Sequence, residues 1–275
     1  MTTRAARGAA SRWALGLAVL LGCVSGCTGG EPTPAPTSSA PPSRATPVPA
    51  PANGACHRLD YAQAVAPTTQ DAPVPCDGEH TAETFLVGRL DAVAGGHLLA
   101  VDSERVQAQV ARTCPRRLGD FVGGSDEERR LSMLRAVWFT PSVEAAEAGA
   151  DWFRCDVIAV AGPQELAPLR RSLRGVLDTD TGARWAMCGT ARPGAASFAR
   201  VPCGEQHRWR ALRTVDLGSD AYPGEPAARA AGQEVCRDAA REVAADALNF
   251  EWGYEWPTAE QWNAGQPYGI CWAPA

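Results

Sequence analysis

Histidine and cysteine carry most of the reactive chemistry in this sequence, and both recur in a pattern. His80 and His207 close two similar stretches, Val74-Pro75-Cys76-Asp77-Gly78-Glu79-His80 and Val201-Pro202-Cys203-Gly204-Glu205-Gln206-His207, which share the motif V-P-C-x3-H. With Glu83 three residues on, His80 has the groups for a metal or acid–base site. The second stretch carries Arg210 at the matching place, so the carboxylate is not part of the shared pattern. A histidine after such a turn also fixes the corner by bonding a backbone carbonyl, and that structural role is the reading we favour. His57 and His97 complete the four histidines.

Other chemistries fail on residue type. There is no lysine, so the S-x-x-K dyad is excluded. H-E-x-x-H is absent, as is G-x-S-x-G beyond the first 27 residues. A zinc site would want C-x2-C or H-x3-H clusters and a redox dithiol C-x-x-C, and the sequence holds none of these. A Cys-His peptidase needs a free thiol. A scattered Ser-His-Asp triad is neither established nor removed by spacing. The expectation is a non-catalytic protein with no cofactor and no metal; the alternative is a cell-envelope hydrolase or metal-dependent enzyme working through His80 or His207.

A second set of candidates is aromatic. The last stretch holds Phe250, Trp252, Tyr254, Trp256, Trp262, Tyr268 and Trp272. Tyr254, Tyr268 and Trp272 read as core, whereas Trp256 and Trp262 stand where the first half of the chain has Thr140 and Ala146. These two are the candidate contact surface, since exposed rings stack on sugars or take up a peptide.

Positioning these residues falls to a duplicated frame. Cys56, Cys76, Cys114 and Cys155 form one group of four, and Cys188, Cys203, Cys236 and Cys271 another. A constant offset of 116 superposes Trp138 on Tyr254, Pro141 on Pro257, Glu144 on Glu260, Gly149 on Gly265, Trp152 on Tyr268 and Cys155 on Cys271. So many matches at one offset mean an internal duplication. Each copy reads as a short strand with the first cysteine, then the V-P-C-x3-H corner opening into a strand (Thr81 to Leu90; Arg208 to Leu217). A helix follows with the third cysteine on its inner stripe, Val106, Val110, Cys114 and Ala228, Gly232, Cys236. A loop with Trp or Tyr, Pro and Gly then leads to a last strand, Trp152 to Val160 or Tyr268 to Trp272. Leu169 to Leu177 adds a strand or bridges the copies. The fold class expected is α+β: two tandem disulfide-stapled domains, each a small, mostly antiparallel sheet with one packed helix. Of the three pairings each group allows, we favour first with second and third with fourth: Cys56–Cys76, Cys114–Cys155, Cys188–Cys203 and Cys236–Cys271.

The N-terminal end sets the compartment. Arg4, Arg7 and Arg12 precede a short apolar run from Trp13 to Gly22, too short for a membrane span and right for a signal peptide. Val24-Ser25-Gly26-Cys27 resembles the bacterial lipobox, which implies a lipid anchor on Cys27; Cys23 is a weaker candidate. Two or more acyl chains hold a protein on a membrane stably. Residues 28–54 are rich in Pro, Thr, Ser and Ala, with eight prolines from Pro32 to Pro51, an extended tether with a reach on the order of 80 Å. The expected organisation is residues 1–27 signal, 28–54 tether, 55–178 first repeat and 179–275 second repeat, at the outer face of the cell membrane. The formal charge of −5 becomes about −8 without the three arginines of the signal, so nucleic acid is not an expected partner. A membrane through the lipid, and an envelope protein or cell-wall glycan, are the partners expected.

The four-cysteine unit, with V-x-C-x3-H, a helix cysteine and P-x-x-E-x4-G before the closing cysteine, resembles the septum formation family of actinobacterial exported proteins. The resemblance spans most of residues 55–275, twice over. It implies a role near the division septum and names no molecular activity. The family pattern has Pro-His after the second cysteine and Glu three residues past it; Glu79-His80 with Glu83 keeps most of this, and Gln206-His207 with Arg210 departs further.

Overall fold

The computed structural model describes residues 46–218 and 221–275. The expectations for the signal peptide, the Cys27 anchor and the tether before residue 46 therefore lie outside the described residues. The first copy runs β1 (Cys56–His57), α1 (Tyr61–Ala64), β2 (Ala82–Arg89), a hairpin of β3 (Val93–Ala94) and β4 (His97–Leu98), α2 (Glu104–Val122), α3 (Asp126–Arg130), β5 (Leu134–Phe139), α4 (Val143–Glu147), β6 (Trp152–Gly162) and β7 (Glu165–Leu166). Two 3-10 turns, Val176–Asp178 and Asp180–Trp185, lead into the second copy. That copy runs β8 (Met187–Gly189), β9 (Arg200–Pro202), β10 (Trp209–Asp216), α5 (Glu225–Ala231), α6 (Gln233–Val243), β11 (Gly253–Glu255), α7 (Ala259–Asn263) and β12 (Tyr268–Pro274).

The two sheets have one topology. The first is ordered β1-β2-β6-β5 and the second β9-β8-β10-β12-β11. Their registers match residue for residue: Thr84 faces Asp156 and Val87 faces Arg154, as Ala211 faces Trp272 and Thr214 faces Ile270. Even the bulge recurs, between Thr84 and Leu86 and between Ala211 and Arg213. All pairings are antiparallel, helices pack on the sheets, and the α+β expectation holds.

The four disulfides join Cys56–Cys76, Cys114–Cys155, Cys188–Cys203 and Cys236–Cys271. In each copy one bond ties the first short strand to the corner and the other ties the helix to the last strand. Closed loops of this size contribute about 3–4 kcal/mol each in the chain-entropy model.

Three readings of the sequence change. The stretch containing Trp138 or Tyr254 is a strand in both copies, β5 and β11, rather than a loop. β11 is only three residues long, too short to show a period of two, and its partner is the last strand. The second helix divides at Gly232 because the Tyr254 ring passes over it: a Cβ there would lie 2.2 Å from Tyr254 Cζ. The Tyr254 hydroxyl also donates to the Ala228 carbonyl at 3.1 Å. Finally, Leu169–Leu177 adds no ladder; Leu169 makes a single antiparallel bridge to His80, and Leu169, Leu173 and Val176 enter the first copy's core.

Each sheet is covered on both faces. On the helix side of the first, Val110, Cys114, Leu118 and Phe121 meet Phe85, Phe153 and Val157. The corresponding side of the second is thinner, because α6 offers Cys236, Ala239 and Ala240. Large apolar side chains bury about 1.5–3 kcal/mol each and alanine far less, so Trp252 and Trp256 pack in from the edge. Between the copies, Met133, Met187, Trp209, Ile270 and Trp272 form one cluster. The Met133 and Met187 amides donate to Trp185 and Leu131 carbonyls at 2.7 and 2.6 Å, making a shared junction.

Candidate functional site

The repeated histidine has one geometry in both copies. The corner turns tightly after the second cysteine, and the ring folds back on it. His80 Nδ1 donates to the Gly78 carbonyl at 2.9 Å, and His207 Nδ1 donates to the Glu205 carbonyl at 2.7 Å. The shared bond, made to the residue two before, pins the corner. Beyond it the copies diverge.

At the first corner the chain closes over its own polar groups. The His80 amide and carbonyl exchange hydrogen bonds of 3.0 and 2.7 Å with Leu169. Glu83 is buried and accepts from the Ser172 hydroxyl at 2.7 Å and the Leu173 amide at 2.8 Å. His80 is 0% exposed, with its Nε2 buried and without a hydrogen-bond partner among the described residues. The His80–Glu83 pair is thus committed to holding Leu169–Leu173, and neither group faces solvent as an acid–base site would.

At the second corner Arg210 is exposed and forms no ion pair among the described residues, and His207 lies beside the Cys188–Cys203 bond. Those sulfurs and His207 are the one group of metal-ligand type found close together among the described residues. Cysteine binds zinc as its thiolate, and these sulfurs are bonded to each other, which leaves His207 alone and a donor set that does not fit a metal.

A polar cluster that spacing did not disclose lies on the opposite face of the first sheet. Arg154 and Asp156, flanking Cys155 on β6, are buried and point to the same side. Arg154 Nη2 contacts Asp156 Oδ2 at 2.9 Å and Asp71 Oδ1 at 3.3 Å, and its guanidinium lies 4.6 Å from the Phe139 ring centre. Asp71 also accepts from Thr69 Oγ1 at 2.5 Å and pairs with His57 Nδ1. His57 Nε2 meets Thr84 Oγ1 at 3.1 Å, and Thr84 Oγ1 donates to Asp156 Oδ1 at 2.8 Å. The Thr84 hydroxyl thus links Asp156 to His57, and His57 and Arg154 both meet Asp71. Burial pushes the Asp71 carboxyl up, but hydrogen bonds from His57 and Thr69 and the charges of His57 and Arg154 outweigh it and hold the group well below the usual range. For Asp156 burial wins, and its carboxyl is pushed up.

The order Thr–His–Asp is the one nucleophilic catalysis uses. Thr84 is 0% exposed, however, so its hydroxyl meets no substrate in this conformation. The sequence shows only two charges alternating along a strand whose other residues are apolar, a pattern shared with the wet side of a half-buried strand.

The aromatic candidates are half-buried, not free. Trp256 packs against the helix-side core, 6.2 Å from the Tyr254 ring, with Arg229 over its face at 5.1 Å. Trp262 meets Tyr222 edge-to-face at 5.7 Å. Tyr254 and Trp272 are core, and the partly buried Tyr268 carries Arg130 at 4.6 Å over its ring. Among the described residues no helix is long and apolar enough to cross a membrane.

A family model described as septum formation matches the chain twice, over residues 11–142 and 53–271. No curated protein and no solved structure matches.

Proposed function

The chain belongs to the septum formation family, and from that premise we propose that it is a lipid-anchored, extracytoplasmic binding or scaffold module of the cell envelope with a role in septum formation. One observation carries the non-catalytic part: the histidines common to both copies spend their Nδ1 protons on backbone carbonyls and serve as corner pins. The extracytoplasmic part draws on four disulfides, which form and persist in oxidising compartments. Anchoring draws on the lipobox at Cys27 and the proline-rich tether behind it.

Fractionation of cells expressing the wild-type chain and Cys27→Ala tests the anchor: the first is expected in the membrane fraction and the second in the medium. Crosslinking in living cells tests the binding role, with envelope neighbours as the expected product. Membrane retention of Cys27→Ala would overturn the anchor. Turnover of a wall polymer that is lost in a folded His80→Gln, His207→Gln variant would overturn the non-catalytic reading.

A further inference from the structure

The second copy carries an open version of a face that the first copy closes with its own chain. In the first, residues 169–175 lie across the corner and the end of α2. Leu169 pairs with the His80 backbone, Ser172 and Leu173 satisfy Glu83, and the Gly175 amide donates to the Phe121 carbonyl at 2.7 Å. Arg174 stacks 4.5 Å from the Phe121 ring centre, and Phe121 is 4% exposed.

Aligning the cysteines of the two copies puts His207 in place of His80, Arg210 in place of Glu83, and Val243 in place of Phe121. No described segment crosses them. The His207 amide and carbonyl make no main-chain hydrogen bond among the described residues, and Val243 is 60% exposed. Two clefts, of about 690 and 590 Å³, meet along Arg210, Ala211 and Leu212 and join His207 at one end to Val243 at the other. Arg210 and Arg213, exposed and without ion pairs among the described residues, line the second. The nearby carboxylates of Glu127 and Glu128 are engaged by Thr214 and Ser125, leaving two exposed acids, Asp180 on the far wall of the first cleft and Glu242 beside Val243 in the second, away from the His207 and Arg210 end.

From this comparison we infer that the groove from His207 to Val243 is a docking site for an extended acidic peptide segment of a partner protein. The segment lies as Leu169–Gly175 lies on the first copy: it pairs with the free His207 backbone, sets a carboxylate on Arg210, and covers Val243 with an apolar side chain. Exchange of a buried acceptor for a cation fixes the sign. Glu83 takes donors from its segment, and Arg210 takes an acceptor. The inference rests on the binding-module reading and gives it a partner chemistry.

The test uses the folded ectodomain with its disulfides intact and two fluorescent peptides of Ala167–Val176 in which Arg170→Ala, Arg171→Ala and Arg174→Ala remove the segment's positive charge, one native at Ser172 and one carrying Ser172→Asp. Wild-type protein is expected to bind the Ser172→Asp peptide about tenfold tighter than the native one, as a single charge-assisted hydrogen bond would give. Arg210→Glu is expected to reverse that preference, and Val243→Asp to weaken both. Binding of neither peptide, or the same preference in wild type and Arg210→Glu, overturns the inference. So does self-association of the protein through this groove in sedimentation, which would make the occupant a second copy. Crosslinking in cells keeps the two levels apart. Neighbours captured equally by wild type and Arg210→Glu leave the module a binder by another face and sink the groove. Loss of all neighbours from the wild type sinks the module reading itself.

Discussion

The two copies place opposite chemistry at the same five positions. Where the first has His57, Asp71, Thr84, Arg154 and Asp156, the second has Gly189, Phe198, Ala211, Ile270 and Trp272. One set is a hydrogen-bonded group of charges; the other is apolar, with Phe198 edge-on to Trp272 at 5.3 Å. Strand order, register and bulge are common to both, so the frame does not depend on which set fills it. A buried ion cluster commonly adds no more stability than an apolar set of similar volume. The frame is held by what the copies share: the disulfides, the histidine corner and the ladder between β2 and β6 or β10 and β12.

The largest effect should come from breaking the charged set by one member. Arg154→Met leaves Asp156 buried without its cation and Asp71 with only His57 and Thr69, and chemical denaturation is expected to show a loss of about 3–5 kcal/mol. Exchanging all five residues for those of the second copy should be neutral or stabilising. A loss as large as that of Arg154→Met would show that the two frames are not interchangeable.

Next in size are the helix staples. Removing Cys114–Cys155 or Cys236–Cys271 as Ala pairs should each cost about 2–4 kcal/mol. Their sequence separations of 41 and 35 residues imply nearly equal loop entropies, so the two losses should agree within about 0.5 kcal/mol. A much larger loss in the second copy would mean that its thin, alanine-lined core leans harder on the bond.

The corners should differ more sharply. Glu83→Ala strands the Leu173 amide and is expected to cost about 1–3 kcal/mol. Arg210→Ala, exposed and unpaired, should stay within about 0.5 kcal/mol of wild type.

The smallest expected effects are in pH dependence, and they have opposite signs within one cluster. The folded pKa of Asp71 is depressed, so the stability it contributes is present above its ordinary range and lost as pH falls below about 4. The folded pKa of Asp156 is raised, so stability declines as pH rises through that raised value. Denaturation midpoints against pH should therefore show a flatter acid limb in Asp71→Asn and a flatter decline on the higher-pH side in Asp156→Asn.

Much of the frame was legible because cysteine spacing and the V-P-C-x3-H corner are local signals that survive duplication. The helix stripe could be read in the first copy, where Val106, Val110 and Cys114 recur every four residues, and only weakly in the second. There Gly232 makes room for Tyr254, a contact that no spacing predicts. β11 escaped because three residues carry no period. The charged cluster escaped because Arg154 and Asp156 alternate with apolar residues as the wet side of a half-buried strand would; their burial comes from the segment carrying Leu59 and Asp71, which lies far away in sequence. The open groove required both copies to be seen at once, since it is defined by a segment that covers only one of them.

Backbone hydrogen exchange at the two corner histidines tests that last contrast most directly. The His80 amide, bonded to Leu169, should exchange slowly, and the His207 amide should exchange quickly in the free protein and slow when the Ser172→Asp peptide is added. Equal protection of the two amides without peptide would contradict the account.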